Sequence, residues 1–160
     1  MAKLLDDETW MRHANPWSVR TRYAAFPVLL AAVWSHHAIG WWALAPTALA
    51  VTFLRVNPWL FPRPCSTRNW ASMAVLGERV WLAQDRRFLP EQDRTIWLLM
   101  IAASAVSLPA LSWGLYAADL PLTLLAMVAI LIGKTWFNDR MVWLFSVMKE
   151  RNAEYAAWLY

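Results

Sequence analysis

Long apolar stretches without charged residues are the feature that most constrains how this chain can fold. Thr95–Ala118 holds 24 residues and no charge, which is enough for a helix to cross the roughly 30 Å hydrocarbon core of a bilayer. Two further apolar runs, Tyr23–Trp34 and Ala38–Leu54, are separated by the short polar segment Ser35-His36-His37. Apolar residues make up 59% of the sequence and charged residues 16%, so an ordinary soluble domain is not expected.

These runs predict an all-α polytopic membrane protein with four transmembrane helices in two hairpins. Residues 23–54 form the first hairpin, whose spans are slightly short for a bilayer; a single re-entrant hairpin is the alternative interpretation. Residues 95–137 form the second hairpin, with a turn at Asp119-Leu120-Pro121. An amphipathic pattern then continues the fourth helix to about Arg151, so that residues 138–160 form a helix extension and a tail.

The distribution of basic residues predicts the orientation in the membrane. All fifteen Lys and Arg residues lie in residues 1–22, in residues 55–94, or from Lys134 onward, and neither hairpin turn contains one. By the positive-inside rule these segments are cytoplasmic, which makes the chain a multi-pass protein of the cytoplasmic membrane with both termini inside. The net charge of +4 then favours contact with anionic lipid, and no nucleic-acid partner is expected.

The central segment, residues 55–94, is too polar to cross a membrane. Its prolines favour an extended start, and a helix is expected near Asn69 with Ser66 or Thr67 as its cap. One face of this helix is predicted to carry Trp70, Met73, Gly77, Val80, Trp81 and Gln84, with Arg79, Arg86 and Arg87 outside it. The pattern is typical of an amphipathic helix lying on the cytoplasmic face of the membrane.

Tryptophan and small residues are the other distinctive features of the sequence. Most of the thirteen Trp residues fall near the ends of the predicted spans, as in the aromatic belts of membrane proteins. The tripeptide Asn-Pro-Trp occurs at residues 15–17 and 57–59, which we interpret as two points at one membrane depth, with internal duplication as the alternative. Pairs of small residues four apart, Ala103 with Ser107 and Ala129 with Gly133, predict close helix contacts.

Polar residues expected near the cytoplasmic surface are the first candidate site. They are predicted to cluster as a ligand or lipid-headgroup site, and a network that only joins the inner helices is the alternative; the residues are Glu78, Arg79, Lys134, Asn138, Asp139 and Arg140. His36 is the candidate ligand for a pigment or haem, with a polar turn residue as the alternative. No metal site is expected, because adjacent His36 and His37 would point about 100° apart on a helix. Motifs for nucleophilic or phosphate chemistry are missing, so no catalytic residue is assigned.

Four blocks of the sequence, all in predicted cytoplasmic-face segments, carry a resemblance to a known family. They are Asn15–Arg22, Asn57–Pro62, Asn69–Arg79 and Gly133–Trp143. Together they resemble a family of small, Trp-rich prokaryotic membrane proteins that is catalogued only as a domain of unknown function. The resemblance implies a membrane location and brings no activity with it.

The function expected from the sequence is that of a non-catalytic integral membrane accessory or scaffold subunit in a larger complex, for example one of electron transfer or photosynthesis. The chain is small and poor in buried polar groups, but rich in residues suited to helix packing. The alternatives are a small-ligand or lipid-binding protein with an inner-leaflet polar pocket, a small lipid-acting enzyme, and a transporter or channel. Expected partners are the bilayer and other membrane protein subunits; bound lipid, or a pigment supplied by a partner, is the candidate cofactor.

Overall fold

The computed structural model describes residues 6–83 and 91–160, without the side chains of residues 91–101, 103 and 104. In this part of the chain every regular element is helical, which confirms the predicted all-α class. The helices are α1 (Asp7–His13), α2 (Pro16–Trp34), α3 (His36–Ile39), α4 (Leu44–Leu60), α5 (Trp70–Ala83), α6 (Glu91–Tyr116), α7 (Leu120–Arg151) and α8 (Ala153–Ala156). Helix α7 ends at Arg151, as predicted. The predicted positions of Gln84, Arg86 and Arg87 relative to α5 lie outside the described residues.

The chain forms two compact units. Unit 1 consists of Met1–Arg22, Arg55–Phe88 and Asn138–Tyr160, and unit 2 of Tyr23–Leu54 and Leu89–Phe137. In the described residues, two helical stretches are long and apolar enough to cross a membrane by length and composition: Pro16–Leu60 and Leu120–Arg151.

Unit 2 has a small apolar core between α2, α6 and α7. Leu30, Leu111 and Ala126 are buried at its centre. Near the turn between α6 and α7, a Cβ atom on Gly114 would lie 2.7 Å from Thr123 Oγ1 and 2.9 Å from its backbone nitrogen. The two helices therefore approach closely only because residue 114 has no side chain.

The turn of the first hairpin is longer than predicted. Helix α3 and a 3₁₀ turn at Gly40–Ala43 follow α2, so that α4 begins at Leu44 rather than at Ala38. Gly40 has φ +57°, a backbone conformation that favours glycine. Pro46 lies in the first turn of α4, where it removes no helical hydrogen bond. Pro27, in contrast, lies inside α2.

Helix α5 differs from the predicted surface helix, because it is buried on nearly every side within unit 1. Its buried residues are Ala71, Ser72, Ala74, Val75, Leu76, Gly77 and Val80. Asn69 caps it by accepting a hydrogen bond from the Ser72 backbone N–H at 2.9 Å, so neither Ser66 nor Thr67 is the cap. Small residues on several faces let neighbouring segments approach from more than one side, which a one-sided apolar pattern does not reveal.

We predict that Gly77→Ala destabilises the protein. A Cβ atom at residue 77 would overlap the backbone carbonyl of Met141, which cannot rotate away. Helix propensity favours alanine by about 1 kcal/mol, but overpacking against a fixed backbone carbonyl is expected at the upper end of its range, about 3 kcal/mol, so we expect a net loss of about 2 kcal/mol in thermal unfolding of the detergent-solubilised protein. Leu82→Ala, at the exposed end of the same helix, is the control and should change stability by no more than about 0.5 kcal/mol. An unchanged or higher stability of Gly77→Ala would contradict this packing.

Candidate functional site: polar contacts of unit 1

The residues predicted to form one polar site are divided between the two units. Lys134 belongs to unit 2, where it is exposed and its ammonium group lies 4.8 Å from the centre of the Phe137 ring. Glu78, Arg79, Asn138, Asp139 and Arg140 belong to unit 1.

Asp139 and Arg140 are brought together with the start of α5. The Trp70 indole N–H donates a hydrogen bond to Asp139 Oδ1 at 3.4 Å, and Arg140 Nη2 lies 3.7 Å from Asp139 Oδ2. Arg140 Nε is buried and has no hydrogen-bond partner in the part of the chain that the structure describes. The preceding residue, Asn138, is buried. This part of the predicted cluster is therefore a contact between α5 and α7.

Arg79 is held by other segments of unit 1. Its Nη2 donates to Asp7 Oδ1 at 2.5 Å, and its guanidinium lies 4.0 Å from the centre of the Trp158 ring. The Arg79 side chain is 13% exposed, so the ion pair and the ring replace most of its hydration. Glu78, the next residue on α5, is half-buried. Arg79 thus joins α5 to α1 and to the C-terminal segment.

His36 and His37 lie at the turn of the first hairpin, both exposed. His36 Nδ1 is 3.2 Å from the Gly40 carbonyl oxygen, and His37 Nε2 is 2.7 Å from the Leu115 carbonyl oxygen at the end of α6. With Nδ1 bonded to a carbonyl, the Nε2 atom of His36 is the nitrogen suited to hold a metal in a pigment or haem. Within the described residues, no group of three or more His, Cys, Asp and Glu side chains is placed to bind a metal ion.

A buried amide between α2 and α4 was not anticipated from the sequence. Ser18 Oγ donates to Asn57 Oδ1 at 2.6 Å, and Asn57 Nδ2 donates to Thr21 Oγ1 at 2.9 Å. Ser18 and Asn57 are both fully buried. Burial of an amide is tolerated only where its hydrogen bonds are made, so this pair fixes which turn of α2 meets which turn of α4.

The two Asn-Pro-Trp tripeptides have different local structures. Asn15 caps α2, accepting from the Trp17 backbone N–H at 2.9 Å, and Pro16 occupies the first helical position. Asn15 Nδ2 also donates to the Pro62 carbonyl at 2.9 Å. The second tripeptide lies inside the last turns of α4, with Pro58 within the helix. The repeated tripeptide marks both asparagines in the sequence, but the sequence does not show which groups they bond to.

Thr67 fastens the C-terminal segment to the loop before α5. Its Oγ1 donates to the Trp158 carbonyl at 2.8 Å and accepts from the Tyr160 backbone N–H at 2.9 Å, while its own N–H donates to the Tyr160 carbonyl at 2.8 Å. Thr67 is fully buried. We call these three residues the Thr67 clamp. Such a buried set of bonds can hold two distant segments together, and it offers no group for acid–base chemistry.

The fold and these contacts define an all-helical protein with one apolar unit and one unit held by buried polar bonds. The chain belongs to a family of unknown function, DUF6653, whose model matches residues 1–158. This confirms the resemblance to a family catalogued only as a domain of unknown function. No curated protein and no solved structure matches the chain.

We predict that Thr67→Val lowers the free energy of unfolding by about 1–3 kcal/mol, because valine keeps the volume but leaves the Trp158 carbonyl and the Tyr160 N–H without their buried partner. Chemical denaturation in one detergent measures the loss. Ser66→Ala is the matched control: it removes two exposed bonds, one from Ser66 Oγ to the Tyr160 carbonyl and one from the Arg68 backbone N–H to Ser66 Oγ, and should cost less than about 1 kcal/mol. Equal effects of the two substitutions would refute a specific role for the clamp.

Proposed function

We propose that this protein is an integral membrane protein with four crossings and both termini in the cytoplasm, and that it acts as a non-catalytic subunit or scaffold of a larger membrane complex. Membrane insertion is supported by the surface of unit 2, where large apolar side chains project outward. Leu49, Val106, Leu125 and Ile132 are 72%, 74%, 68% and 63% exposed, respectively. A surface of this kind requires lipid or another protein to cover it.

The burial of the two long apolar stretches argues against a soluble core. A core helix of a soluble protein is mostly buried, whereas only 11% of the most apolar window is buried in each of Pro16–Leu60 and Leu120–Arg151. Within Tyr23–Leu54 and Thr95–Ala118 the sequence also has no charged residue, which keeps the cost of lipid contact low.

Four crossings are supported by helix length and by charge. Helices α2 and α4 contain 19 and 17 residues, α6 contains 26 and α7 contains 32. At about 1.5 Å per residue, α6 and α7 reach about 39 and 48 Å, more than the thickness of the hydrocarbon core. The uncharged part of α4, residues 44–54, reaches about 17 Å and crosses only together with the turn residues 36–43 that precede it. The restriction of all Lys and Arg residues to the segments outside the hairpin turns supports cytoplasmic placement of both termini.

The role as a subunit rests on one observation, an uncovered face of α7. Leu125, Val128, Ala129, Ile132 and Trp136 recur at helical spacing and are all exposed, while Ala126, on another face, packs in the core of unit 2. Ala129 and the half-buried Gly133 are four residues apart, a spacing that lets the backbone of a second helix approach closely. This face, which we call the α7 face, fits a helix of another membrane protein.

A small-ligand or lipid-binding protein is the second candidate function. It is favoured by Arg140 Nε, a buried donor without a hydrogen-bond partner among the described residues, since an anionic group placed there would satisfy it. In the subunit version, a pigment held by the complex would be a cofactor, with His36 as its protein ligand.

The test is gentle solubilisation of the native membrane, isolation of the protein, and measurement of the absorption spectrum and the masses of everything bound. We expect a stoichiometric partner protein. Ala129→Leu should reduce the partner by about tenfold, because the added side chain overpacks the α7 face. Ala48→Leu, the same change at an exposed position of α4, is the control and should retain the partner.

Isolation of the chain alone, with lipid and no partner, would contradict the subunit role. In that case Arg140→Ala distinguishes the second candidate, which requires loss of bound ligand from a protein that remains folded. A chromophore that disappears in His36→Ala but remains in His37→Ala would identify a pigment ligand.

A further inference from the structure

Two exposed Trp–Arg pairs lie beside the buried Ser18–Asn57 contact of unit 1. On α2, the Arg20 guanidinium lies 5.3 Å from the centre of the Trp17 ring, and Trp17 is 62% exposed. On α4, Arg55 and Trp59 are four residues apart, so they share one face of the helix; Trp59 is 51% exposed and Arg55 is exposed as well.

The hydrogen bond between the helices places both pairs at the same level of unit 1. Ser18 lies between Trp17 and Arg20 in sequence, and its bonding partner Asn57 lies midway between Arg55 and Trp59. Each pair also lies close to an end of the uncharged stretch: Arg20 precedes Tyr23 by three residues, and Arg55 directly follows Leu54.

Arg20 and Arg55 are exposed and have no acidic partner within the described part of the chain, which is also true of Arg68 and Arg151. Among these four arginines, Arg20 and Arg55 have an exposed Trp three or four residues away on the same helix. The ion pairs found there involve Arg12 and Arg63 with Glu8, Arg79 with Asp7, and Arg140 with Asp139. Two exposed guanidinium groups next to exposed indole rings are therefore left with uncompensated positive charge.

We infer that Trp17 with Arg20, and Arg55 with Trp59, bind the headgroups of anionic phospholipids at the cytoplasmic leaflet. Guanidinium groups match the geometry of a phosphodiester through paired hydrogen bonds, and indole rings are stable at headgroup depth. Exposed tryptophan beside each arginine favours a lipid over a free phosphate ion, since a soluble anion would leave both rings in water. The inference rests on the membrane insertion contained in the proposed function, and it is independent of any partner protein.

Native mass spectrometry of the full chain in neutral detergent, titrated with phosphatidylglycerol or phosphatidylcholine, tests the inference. We expect tighter binding of phosphatidylglycerol, and Arg20→Gln/Arg55→Gln should weaken it by about 25-fold, at about fivefold per arginine. Arg20→Lys/Arg55→Lys keeps the charge but loses the paired hydrogen bonds, so its binding should fall between that of the parent protein and that of the Gln variant. The single substitutions repeat the test if the double variant fails to fold.

Arg63→Gln is the matched control. It removes the same single charge from unit 1 as Arg20→Gln or Arg55→Gln does alone, and is compared with those single variants. Arg63 is already paired with Glu8, whose hydrogen bond and charge raise the pKa of Arg63 above its ordinary value. Phosphatidylglycerol binding by this variant should stay within twofold of the parent protein. An equal loss in Arg63→Gln would mean that net charge alone attracts the lipid, and would overturn the inference.

The remaining outcomes separate this inference from the proposed function. A membrane-integral protein that binds the two lipids equally would overturn only the lipid site. Displacement of phosphatidylglycerol by an excess of inorganic phosphate would mean a site for free anions and would also overturn it. A clear lipid preference in a protein that purifies without a partner would support the lipid site and contradict the subunit role.

Discussion

The packing of unit 1 depends on polar groups that are buried and must therefore bond to one another. Ser18, Asn57, Thr67 and Ser72 are fully buried; Ser18 bonds Asn57, Thr67 bonds the C-terminal segment, and Ser72 donates to the Ala14 carbonyl at 2.6 Å. Leaving one such group unpaired costs about 1–3 kcal/mol. Each bond is consequently made in only one register, which determines where α2, α4, α5 and the C-terminal segment meet.

Unit 2 instead packs through apolar contacts. Its core is limited to a few apolar residues around Leu111, and much of its apolar surface remains uncovered. In water this arrangement would be unfavourable, whereas in lipid the same surface costs nothing, and contact between helices then depends on small residues such as Gly114. The proposed membrane location explains why one chain contains two kinds of packing, and why its basic residues avoid the hairpin turns.

The sequence predicted the features that depend on local pattern. The helical class, the end of α7 at Arg151, and the family resemblance all follow from periodicity, charge or short motifs. The polar bonds of unit 1 could not be predicted in the same way, since they join residues 39, 58 and 91 positions apart. Helix α5 shows the same limit: its alanine, serine and glycine residues gave no indication that several segments pack around it.

Those contacts also change how the candidate site is understood. Arg79 and Asp139 were expected in one cluster, but they have different partners. Arg79 contacts Asp7 and Trp158, whereas Asp139 contacts Trp70 and Arg140. Polar side chains of unit 1 are thus engaged in joining its own segments. Arg20 and Arg55, which have no acidic partner in the described chain and lie on the same helices as the exposed Trp17 and Trp59, are well placed for contact with lipid phosphates.

The native cysteine provides the most direct test of the proposed topology. Cys65 is exposed in the loop before α5, and the account predicts that a membrane-impermeant maleimide labels it only after spheroplasts are permeabilised. In a Cys65→Ser background, Ala38→Cys and Ala117→Cys, at the turns of the two hairpins, should be labelled without permeabilisation. Labelling of Cys65 from outside would contradict the account, as would failure of Ala38→Cys to react from outside, which would indicate that the first hairpin does not cross the membrane.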